Sequence, residues 1–62
     1  MKNLKLEHAR KAKGLTCKQM SELLGYKSFS GYSNIELGYT KPSLHVAQAI
    51  SRIVKVDINE LF

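Results

Sequence analysis

Glycine and proline interrupt this chain at Gly14, Gly25, Gly31, Gly38 and Pro42, cutting it into pieces of about ten residues. A piece that short holds one helix of two or three turns or one strand, and the spacing of its apolar residues decides between them. Three of the pieces repeat their apolar residues at helical period, and none alternates as a strand over more than a few positions. The pattern predicts an all-α protein, a compact bundle of five short helices with tight connections. Sixty-two residues make one domain, taken as residues 1–62, with no repeat, linker or low-complexity segment.

The first piece runs from Asn3 to Lys13. Asn3 is placed to N-cap it, Leu6 and Ala9 share a face, Lys11 and Lys13 load the last turn, and Gly14 follows as the C′ residue. Thr16-Cys17-Lys18-Gln19 is a capping box that opens a second helix, with Met20, Leu23 and Leu24 as its apolar stripe and Gly25 as its stop. A third helix is expected over about residues 29–37, N-capped by Ser28 or Ser30. Stepping about 100° per residue puts Tyr32 and Ile35 on its core face and Glu36 at the edge. Ser30, Ser33, Asn34 and Leu37 fall opposite, with Phe29 on the flank. After Gly38 and a loop through Pro42, Ser43 caps a fourth helix. Its stripe is Ala47, Ile50 and Val54, supported by Leu44, Val46 and Ile53. Asp57-Ile58-Asn59-Glu60 signals a last short turn.

Size and composition restrict the function. A domain this small buries about 60% of its unfolded surface, too little for a deep enzyme pocket with lids. No apolar run approaches the roughly 20 residues of a membrane span, and no secretory leader is visible. His8, His45 and Cys17 are the only histidines and the only cysteine. They have no metal-ligand spacing, no third orienting group and no glycine-rich cradle, so neither enzyme activity, metal nor cofactor is expected. One cysteine precludes an internal disulfide and fits a reducing cytoplasm. Cys17 stands at a helix N-terminus, where the helix dipole lowers a thiol pKa, and is on that ground a candidate reactive thiol. The net charge is +5, and residues 1–31 carry all of it: seven lysines and arginines against two glutamates, then three against three. Such asymmetry suits a polyanion.

The run Gly14 to Ser43 resembles the Cro- and phage-repressor-type helix-turn-helix proteins, also called the xenobiotic-response-element family. Gly14-Leu15-Thr16 opens the second helix, and Ser21 stands four residues after Cys17, where the family usually has alanine. Gly25 stands eight after Cys17, Ile35-Glu36-x-Gly38 closes the third helix, and Lys41-Pro42-Ser43-Leu44 leads into the fourth. The likeness spans about Leu6 to Leu61. Two departures bear on specificity. Between Gly25 and Pro42 the chain is one residue longer than the commonest pattern, which blurs where the third helix begins. Cys17 stands where the family often has a glutamine that touches the DNA backbone.

The resemblance implies a lambda-repressor-like fold and a sequence-specific, double-stranded-DNA-binding transcriptional regulator of bacterial or phage type. It would be a repressor, acting in the cytoplasm as a homodimer on a palindromic operator. Helix three would enter the major groove, its slim hydrogen-bonding face reading bases through Ser28, Phe29, Ser30, Ser33 and Asn34. Cys17 (through its backbone N–H), Lys18, Lys27, Tyr39, Thr40 and Lys41 would hold the DNA backbone. Arg10 and Glu36 would form a bidentate ion pair tying helix one to the end of helix three. With no separate oligomerisation segment, a dimer would use the last two helices. The rival class is a protein-interaction module of the same fold, an antitoxin or anti-regulator component. RNA and membrane surfaces suit the pattern less well, because no stacking platform and no free basic amphipathic face is evident.

Overall fold

The Asn3 side chain accepts the Leu6 N–H at 3.0 Å, and there the first helix starts. The computed structural model describes residues 1–62 and contains five helices: α1 (Leu4–Ala12), α2 (Cys17–Leu23), α3 (Ser30–Leu37), α4 (Leu44–Val54) and α5 (Ile58–Leu61). Local caps account for most of the boundaries. The Thr16-Gln19 box is closed on both sides, at 3.1 and 2.9 Å. Ser43 accepts from Val46 and Asp57 from Asn59. Gly14, Gly25 and Gly38 follow their helices at φ +70°, +84° and +86°, a region closed to most side chains.

The core is drawn from every helix: Leu6 of α1, Met20 of α2, Tyr32 and Ile35 of α3, Ile50 and Val54 of α4 and Leu61 of α5. Burying seven such side chains, at roughly 1.5–3 kcal/mol each, is the main favourable term in a chain this short. Helix α2 packs on α3, while α1 touches α3, α4 and α5. α1 and α4 therefore form the platform from which the α2–α3 hairpin projects.

Four local expectations are corrected. Leu23, placed in the α2 stripe, is 60% exposed, and Leu44, expected to support the α4 stripe, is 69% exposed. Angular periodicity marks an apolar flank, but no second element lies over either residue. Gly31 does not interrupt the chain; it lies inside α3. A Cβ there would run into the Tyr26 ring, so glycine serves close packing, not a turn. Finally, neither Ser28 nor Ser30 caps α3. The N-cap position is Phe29, whose side chain makes no capping bond, and the two serine hydroxyls bond each other at 2.9 Å.

The first residues also reach further than a cap. The Asn3 N–H donates to the Glu36 carbonyl at 2.7 Å, and its side-chain amide donates to the Leu61 carbonyl at 2.7 Å. One residue thus joins the start of α1 to the ends of α3 and α5.

Candidate nucleic-acid interface

Three devices set the angle at which α3 leaves the bundle. At the end of α2, Gly25 N–H bonds the Glu22 carbonyl at 3.1 Å and Tyr26 N–H bonds the Ser21 carbonyl at 2.9 Å. This pair of bonds requires the left-handed residue between them. Next, Ser21 supplies from α2 the cap that α3 lacks. Its Oγ accepts the Tyr32 N–H at 3.1 Å and donates to the Phe29 carbonyl at 2.8 Å. Ser21 is 1% exposed, so small size is needed for the close crossing and the hydroxyl is used as well. No pattern in the linear sequence signals this bond, because its partners lie eight and eleven residues on, across the turn.

The third device is the Arg10–Glu36 pair. Arg10 Nε donates to Glu36 Oε2 at 2.9 Å and its second guanidinium N–H to Oε1 at 3.0 Å. The remaining arm donates to the Leu15 carbonyl at 2.8 Å. Both residues are buried, Glu36 to 3% exposure, and the hydrogen bond to Glu36 holds the Arg10 guanidinium pKa above its ordinary range. The Tyr32 hydroxyl is buried nearby without a hydrogen-bond partner. Burial, reinforced by the Glu36 carboxylate, holds its pKa well above the usual phenol range.

With Tyr32, Ile35 and Glu36 turned inward, α3 presents Ser30, Ser33, Asn34 and Leu37 outward, at i, i+3, i+4 and i+7. Ser28 and Ser30 are exposed, Ser33 and Asn34 half-buried, and Phe29 is 60% exposed at the leading end. Leu37, 37% exposed, completes this face although it was not among the expected contacts; its place on the helical wheel was the available signal.

Lysines flank the face: Lys27 in the turn before α3 and Lys41 in the loop after it, both exposed. That loop folds back on α3, because the Tyr39 and Thr40 N–H groups both bond the Asn34 carbonyl, at 2.9 and 3.3 Å. Lys18 is exposed on the first turn of α2. Cys17, beside it, is half-buried against the core. Burial pushes its thiol pKa up, with the Glu36 charge adding to it, the direction opposite to the one expected of a thiol at a helix N-terminus. Its backbone N–H and that of Lys18 meet no acceptor within the chain. No three histidine, cysteine, aspartate or glutamate side chains gather into a metal-ligand set, and no helix is long and apolar enough to cross a membrane.

No curated protein and no solved structure matches the chain. A protein-family comparison matches the helix-turn-helix family over residues 6–61, nearly the whole chain and the same span over which caps, turn and ion pair are laid out. The chain belongs to the Cro/C1-type helix-turn-helix family of DNA-binding transcription regulators.

Proposed function

We propose that this protein reads double-stranded DNA with α3 in the major groove and acts as a repressor, as a homodimer on a palindromic operator. The observation that carries the reading is the outward face of α3: an uncharged, hydrogen-bonding stripe with an exposed lysine at each end. A helix kept slim on that side fits a groove about 12 Å wide, and cations at both ends suit the two phosphate walls. Base edges fall to Ser28, Phe29, Ser30, Ser33 and Asn34. The backbone falls to Lys18, Lys27, Tyr39, Thr40, Lys41 and the free Cys17 N–H.

Selection from a random duplex pool at two salt concentrations tests this. The expected result is an inverted repeat with half-site centres about one helical turn apart. Lys41→Ala should weaken binding to all sequences alike and make the slope of log affinity against log salt about one unit shallower. Weak binding that enriches no sequence and vanishes at moderate salt would leave only a cationic surface and overturn the reading.

A further inference from the structure

Between Lys27 and Lys41 the only charged side chain is Glu36, which is buried and committed to Arg10 through both carboxylate oxygens. Nothing on the outward face of α3 therefore carries a guanidinium, an ammonium or a free carboxylate. The commonest reader of guanine is an Arg or Lys placed against O6 and N7, and cytosine N4 is read by Glu or Asp. Both kinds of reader are missing from this helix. The readers of the other base pair are present. Asn34 makes no side-chain hydrogen bond within the chain, leaving its amide free to pair with adenine N6 and N7. Phe29 and Leu37 expose apolar surface at the two ends of the face, the surface that suits a thymine methyl. The serines accept either pair.

From this inventory we infer that α3 selects A·T base pairs: Asn34 reads adenine, Phe29 and Leu37 read thymine methyl groups, and no guanine is contacted by a charged side chain of the helix. This assignment rests on α3 being the element in the major groove. It adds the chemical identity of the bases it meets there. Lys27 and Lys41 are assigned to the phosphates because each stands beyond the last residue assigned to a base, Ser28 at one end and Leu37 at the other.

The test starts from the half-site selected by the wild-type protein. The pairs under α3 are those whose preference relaxes in Asn34→Ala or Phe29→Ala. The assignment expects A·T at these pairs. Replacing the thymine under Phe29 by deoxyuridine should weaken wild-type binding about fourfold, the worth of one buried methyl, and leave the Phe29→Ala variant unaffected. Replacing the adenine under Asn34 by 7-deazaadenine should weaken the wild type and leave Asn34→Ala unaffected. An enriched half-site with G·C at those pairs overturns the A·T assignment and leaves the major-groove reading standing. So does equal loss from the modified bases in wild type and variants. Enrichment of no sequence overturns both.

Discussion

Gly31 shows how one residue can carry a cost that helix propensity alone misreads. In an ordinary helix interior, alanine is better than glycine by about 1 kcal/mol. Here an added Cβ would be driven into the Tyr26 ring and its Cβ, and Tyr26 packs against the core. Gly31→Ala is therefore expected to lower the midpoint of urea unfolding. The sign should reverse once the obstruction is removed: in a Tyr26→Ala background the same substitution should raise stability, by at most about 1 kcal/mol because Gly31 lies in the first turn of α3. Stabilisation in both backgrounds would show that the ring moves aside freely. Glycine as an interruption was the natural reading of the sequence. A missing Cβ that receives a ring from five residues earlier has no linear signature.

At the scale of elements, the legible features are those whose partners lie within one turn. The Thr16-Gln19 box, the Ser43 and Asp57 caps and the stops at Gly14, Gly25 and Gly38 all bond or turn locally. What escapes is the bond between elements. The cap on α3 comes from Ser21 on α2, and Asn3, legible as the cap of α1, also ties α3 and α5. Leu23 and Leu44 belong to the same class, since periodicity names a face but not what covers it. The Arg10–Glu36 pairing is legible only through resemblance, because 26 residues separate the partners. It joins the platform helix α1 to the far end of α3, so breaking it should loosen the angle of the candidate reading helix. Arg10→Ala and Glu36→Gln should each cost about 3–5 kcal/mol, because each leaves a buried group without its partner. The double variant should lose about as much as either single one, as measured by chemical unfolding. Strictly additive losses would mean that the two side chains act independently.

On the scale of the whole molecule, size bears on the homodimer proposed above. The chain measures 26 × 22 × 20 Å, less than the roughly 34 Å between successive major grooves on one side of a duplex. On the proposed palindrome, one copy would therefore reach one half-site. The proposed seam on the last two helices coincides with an apolar groove of about 510 Å³ between the start of α4 and α5, lined by Pro42, Leu44, Ala47, Ile58 and Phe62, with Lys41 and Asn59 at its margin. Leu44 and Phe62 stand exposed over it, at 69% and 47%. Leu44→Glu separates association from folding, because an acid in the first turn of α4 suits the helix dipole and the residue it replaces is outside the core. The expected variant folds as stably as the parent but sediments as a monomer. It should bind an isolated half-site within about twofold of the parent, yet lose on the order of 100-fold on the full palindrome, where the link between two bound heads supplies the extra affinity. Leu44→Gln, which adds no charge, should fall between the two. Undiminished palindrome affinity in the glutamate variant would place the dimer seam elsewhere on the molecule.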